Sequence, residues 1–154
     1  MDFIYGTQRV RRKYSASHPS ETVVASDASK GIKTSENTDV QRGMNWVTSQ
    51  RAVVLLTDKR ITCGKWDIPL DDIEASELKK FNTIYGPGLV LKLSTKNQEH
   101  YQFGMQMNKE WTEQTVLPLT MEKTKVKFSP FSIIIRLLLV AYILYYLIES
   151  WSNQ

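Results

Sequence analysis

Apolar residues recur at every second position through much of the middle of this chain. In ITCGKWDI, Ile61 and Cys63 share one face, and after a break at Gly64 so do Trp66 and Ile68. That spacing predicts strands with one side in a core. Just upstream, AVVLL (Ala52–Leu56) is a compact strand-like run, and Thr57–Arg60 has the composition of a turn. Pro69 interrupts the pattern and Ile73–Lys79 resumes it. In YGPGLVLKLST, a turn over Gly86–Gly88 leads into a strand with Leu89, Leu91 and Leu93 inward, Lys92 and Ser94 outward. After KNQE, Tyr101 and Phe103 alternate with His100 and Gln102, completing a hairpin. Asn108 is placed to cap a helix in NKEWTEQTV, with Met107, Trp111 and Thr115 on one face until Pro118. Closely spaced strands followed by one helix predict a mainly β fold, a bent antiparallel sheet with one closing α-helix.

The pattern changes after Pro130. FSIIIRLLLVAYILYYLIESW, Phe131–Trp151, is apolar on every side, with Arg136 and Glu149 its only charges. As a helix it would be roughly 30 Å long, which predicts a C-terminal single transmembrane helix over 131–151. A buried soluble or oligomer-packing helix and an in-plane anchor are the alternatives. Arg136 would lean back toward the helix N-terminus and snorkel; Ser132, four residues earlier, continues that face. The two form a candidate surface for snorkelling or transmembrane packing. Lys123, Lys125 and Lys127 precede the run and no basic residue follows it. The positive-inside rule then puts residues 1–130 in the cytoplasm and makes the chain a single-pass membrane protein. Four parts result: an N-terminal basic segment, early strand and loop (1–45), the β-domain (46–119), a basic juxtamembrane linker (120–130) and the tail. The Ser, Thr and Gly content from Ser26 to Thr38 predicts that the loop is long.

The formal net charge of +4 suits an anionic partner such as a lipid surface but is too small to argue for nucleic acid. A single cysteine, Cys63, excludes an internal disulfide. The start of the chain lacks the apolar stretch of a secretory signal. Between Phe3 and Ser20 it has Arg, Ser and no acid, a faint likeness to a transit peptide; a mobile or edge-strand N-terminus is the plainer account. Arg9, Arg11, Arg12 and Lys13 form the densest basic cluster. With Lys123, Lys125 and Lys127 they make seven candidate anionic-lipid contacts, each adding about 1 kcal/mol near a charged bilayer.

The succession LLTDKRI, KWDIPLDDIEASEL, GLVLKLSTKNQEHYQF and a terminal helix resembles the PH-like superfold, most of all its GRAM-type and bacterial PH-like branches. The resemblance covers about Trp46–Leu119. It implies a lipid binder, a peptide binder or a passive scaffold, since the fold hosts all three. Lys30, Lys33, Arg42 and Arg51 lie near the region of a PH domain's basic loop, but their spacing departs from lysine–arginine-x-arginine, so no lipid-site residue is carried over.

Nothing in the chain argues for catalysis, a metal or a cofactor. Asp67, Asp71, Asp72, Glu74 and Glu77 lack the alternate-acid-plus-glycine loop of a calcium site, and no Gly-Lys-Ser/Thr follows Gly86-Pro87-Gly88. His18 and His100 have no neighbours at metal spacing, Cys63 reads as a core thiol, and no nucleophile motif occurs. The expectation is a non-enzymatic, membrane-anchored module on the cytoplasmic face. It would bind lipid head groups or recruit a protein partner, with membrane lipids and a membrane protein as partners. The alternative is a structural accessory subunit of a membrane complex, packing through its tail.

Overall fold

The computed structural model describes residues 6–37, 41–42, 49–83, 86–123, 127–128 and 130–152. Helix α1 (Thr7–Ser17) precedes β1 (Val23–Thr34), β2 (Gln41–Arg42), β3 (Gln50–Thr57), β4 (Arg60–Cys63) and β5 (Trp66–Pro69). A 3-10 turn, Leu70–Asp72, leads to β6 (Ile73–Thr83), β7 (Gly86–Thr95) and β8 (His100–Gln106). Then come α2 (Lys109–Glu113), β9 (Thr120–Lys123), β10 (Lys127–Phe128) and α3 (Pro130–Ser152).

Eight strands form one sheet in the order β5-β4-β3-β1-β8-β7-β6-β9. Neighbours are antiparallel except β9, which runs parallel to β6. β2 and β10 make a separate parallel pair. The sheet curls. β5 and β1 are three strand spacings apart, roughly 14 Å in a flat sheet, yet a β-carbon on Gly31 of β1 would meet the Trp66 ring of β5.

The inward positions fall as the pattern predicts, but the outward face is not open throughout: Lys92 and Gln102 are buried as well. Leu89, Leu91 and Leu93 are buried against Tyr101, Phe103 and Met105 of β8, and Ile61, Cys63 and Ile68 join the same core. Burial raises the Cys63 thiol pKa, with the contact to Ser29 Oγ pulling the other way. Three readings need correction. The loop expected over Ser26–Thr38 is mostly strand: β1 runs to Thr34 in the centre of the sheet. Gly86 and Gly88 belong to β7 itself. Finally, α2 is a single turn. Its Asn108 cap does accept from the Glu110 amide, but the Gln114 side chain then bonds both backbone groups of Leu117 and ends the helix. Trp111 is fully buried as expected, while Met107 and Thr115 lie outside the core.

The C-terminal segment forms a helix, but among the described residues no helix is long and apolar enough to cross a membrane. This overturns the transmembrane helix over 131–151, the single-pass tail anchor, and the membrane placement that set residues 1–130 in the cytoplasm. The side chains of Arg136 and Ser132 lie outside the described residues.

Candidate functional site

The curled sheet has two ends. One is closed by α2 and α1. Glu110 of α2 accepts from the Ser26 amide of β1 at 3.0 Å, and Asn108 Nδ2 donates to the Ser26 carbonyl. Arg11 of α1 then binds Glu110 at 2.7 Å and donates to the Val23 carbonyl at 2.9 Å. Tyr14, one turn further along α1, donates to Glu21 at 2.8 Å; Thr57 and Arg60 bind the same carboxylate at 3.1 Å each. Burial pushes Glu21 upward, but these donors outweigh it and hold its pKa below the usual value. Burial, aided by the Glu21 carboxylate, pushes Tyr14 up to about 12. So α1 is fastened by polar contacts at two points.

This settles where the predicted basic residues stand. Arg11 is turned into the structure, while Arg9, Arg12 and Lys13 are exposed on the outer side of α1. The side chains of Lys123, Lys125 and Lys127 lie outside the described residues. The neighbourhood of Trp111 offers no opening, because that side chain is fully enclosed.

The other end is open. A cavity of about 590 Å³ lies there, with Gly31, Lys33, Glu36, Gln50, Lys65 and Trp66 among its lining. Each wall has a local cause. Trp66 starts β5 on the inner face, and its indole lies across β1 at Gly31, where a β-carbon would sit 2.4 Å from Cζ3. Only glycine admits the ring there. The indole meets Tyr101 and Phe103 edge-on at 5.6 and 5.9 Å between centroids, and those two rings stack with each other. An aromatic wall results, of which Trp66 is the half-exposed lip. Gln50 is held by its amide donating to the Cys63 carbonyl at 2.8 Å, over Gly64, whose φ of +59° makes the turn between β4 and β5.

Charge at this mouth is balanced. Lys33 is paired with Glu99 and lies 5.6 Å over the Tyr101 ring, and Tyr101 donates to Glu99 at 2.6 Å. The bond that Lys33 donates to Glu99 raises the Lys33 pKa, and the bonds accepted from Lys33 and Tyr101 lower that of Glu99. With Lys65 on one side and Glu36 on the other, the described residues of the mouth include two acids and two bases. Among the described residues no group of His, Cys, Asp and Glu could hold a metal ion. The acids from Asp67 to Glu77 are dispersed: Asp67 pairs with Arg60, Asp71 and Asp72 form the 3-10 turn, and Glu77 pairs with Lys79 and Lys92.

Sequence reasoning weighed Lys33 as a surface charge and read Trp66 only as a core position. The signal that could have singled out Trp66 is its partner: a glycine in the strand that must pass beneath it. No family model, curated protein or solved structure matches this chain.

Proposed function

We propose that this chain is a non-enzymatic PH/GRAM-like binding module that recruits a protein partner at the open end of its curled sheet. What supports the architecture is the bent antiparallel sheet with a helix closing one end. The reading rests chiefly on Trp66: a large aromatic side chain, half-exposed at the lip of a 590 Å³ cavity and clamped by Gly31 beneath it. A rigid, amphipathic ring beside an opening is the kind of anchor that dominates protein interfaces. The balanced charge of the mouth favours a protein segment over a polyanionic head group. Lys33 is already neutralised by Glu99, so a second anion would have to displace that carboxylate. The exposed bases of α1 do not supplement the mouth, since Lys33 is roughly 23 Å along β1 from Ser26, where α1 is tied.

The test is quantitative co-isolation from the native source with the full chain, its Trp66→Ala variant and its Lys65→Glu variant. Loss of a truncated hot-spot tryptophan costs about 2 kcal/mol or more, roughly thirty-fold in affinity. Partners retained by the parent chain and depleted by both variants support the reading. An unchanged partner set, with both variants still folded by circular dichroism, removes the mouth as the binding surface.

A further inference from the structure

Neither core cluster contains a described residue of α3; both are built from residues up to Leu117, with Leu119 packed alongside. Eleven large apolar side chains of α3 between Ile134 and Ile148 are instead 48–69% exposed. At roughly 100 Å² each they present about 1,100 Å² around the whole helix; the seven that one partner could cover on a single side amount to roughly 700 Å², close to the ~800 Å² that one partner contributes to a standard interface. A helix bearing that much uncovered apolar surface is covered by something.

We infer that a second copy of this chain covers it, and that α3 is the element through which copies pair in parallel. The evidence for a like partner is the spacing. Ile134, Leu137, Ala141, Leu144 and Ile148 follow one another at alternating intervals of three and four residues, the seam of a coiled coil. Branched isoleucine stands at the outer two first positions (Ile134 and Ile148), alanine at the central one, and leucine at both second positions (Leu137 and Leu144), an order compatible with parallel pairs. Such a seam is self-complementary, because in parallel register Ile134 meets its own counterpart and Leu144 meets its own. Ala141 at the middle lets the axes approach closely. The flanking positions, Leu138 and Tyr145, are apolar too, so the seam has no charged rim to limit its width. Pairing through α3 leaves both open mouths free, since no mouth residue belongs to the helix.

The decisive experiment uses the full chain with cysteine placed on and off the seam. Cys63 is buried and does not interfere. Under mild oxidation Leu144→Cys is expected to give a disulfide-linked dimer at a rate roughly ten-fold above Tyr146→Cys, which faces away from the seam, because bridging needs α-carbons within about 7 Å. Sedimentation should find the parent chain dimeric or larger, and Leu144→Asp monomeric with an unchanged β signal, since no described residue of α3 joins the core. Equal cross-linking at both positions would show a generally sticky helix and overturn the seam. A monomeric parent chain would overturn the pairing outright. Uptake of monomeric chain by phosphatidylcholine vesicles would also overturn it, by making lipid the cover.

Discussion

Gly31→Ala is the most informative single change in this molecule. The new β-carbon would lie 2.4 Å from Cζ3 of Trp66 and 3.1 Å from Cδ1 of Phe103. Ordinary carbon contacts are about 3.5–4.0 Å, so the indole must move by more than 1 Å. It is a fused ring with no flexible end to swing aside, and Phe103, fully buried, blocks retreat. Moving it loosens the edge-on contacts to Tyr101 and Phe103, each contributing about 0.5–1.5 kcal/mol, and overpacking adds about 1–3 kcal/mol. One effect opposes these. Gly31 is not among the glycines with positive φ, so alanine fits its backbone and restricts the unfolded chain, which stabilises by about 0.4–1 kcal/mol. The steric terms win, leaving a net loss of about 1–5 kcal/mol. Urea unfolding followed by circular dichroism reads the loss as a lower midpoint at unchanged slope. The near-ultraviolet signal of Trp66, isolated by difference against Trp66→Phe, should change as well. A variant as stable as the parent or slightly more so, with the Trp66 signal intact, would refute the close approach of β5 to β1.

Two further outcomes follow from the closed end. Trp111→Ala empties the largest fully buried side chain among the described residues and should cost about 3–5 kcal/mol, measured by the same unfolding; a loss below 1 kcal/mol would mean that α2 is not part of the core. Glu21 is held ionised by Tyr14, Thr57 and Arg60, so its folded pKa lies below the unfolded one near 4.3. A depressed acid stabilises fully above its unfolded pKa and loses that contribution as pH falls through the folded value. Melting temperature should therefore drop below about pH 4.5 in the parent and less steeply in Glu21→Gln, and identical slopes would remove Glu21 from the acid response.

How much of this was legible depended on what each strand had to supply. β7 and β8 fill the core with Leu89, Leu91, Leu93, Tyr101 and Phe103, so hydrophobic alternation announces them. β1 has the opposite task. Its inner face carries Ala25, Ser29 and Gly31, kept small so that Trp66 and neighbouring strands can close over it. Smallness leaves no apolar period to detect, and VVASDASKGIKT reads as a loop for that reason. Helix α1 escaped similarly, being tied by Arg11 and Tyr14 through hydrogen bonds rather than by an apolar stripe. The open mouth was invisible because its walls, from β1, β3 and β5, meet only once the sheet has curled. For the tail, composition alone suggested a span that the described helix does not provide.

The lone thiol has a practical consequence. Cys63 is 1% exposed on the inner side of β4, and burial keeps it protonated, so alkylating reagents reach it only when the strands part. Its labelling rate, divided by that of the same thiol in the unfolded chain, is then an equilibrium constant for opening the sheet. Tryptophan fluorescence, averaged over four indoles in different parts of the chain, could not isolate that event. Followed with and without a partner at the mouth, the reaction would tell whether occupancy tightens the β4–β5 edge or merely rests on it.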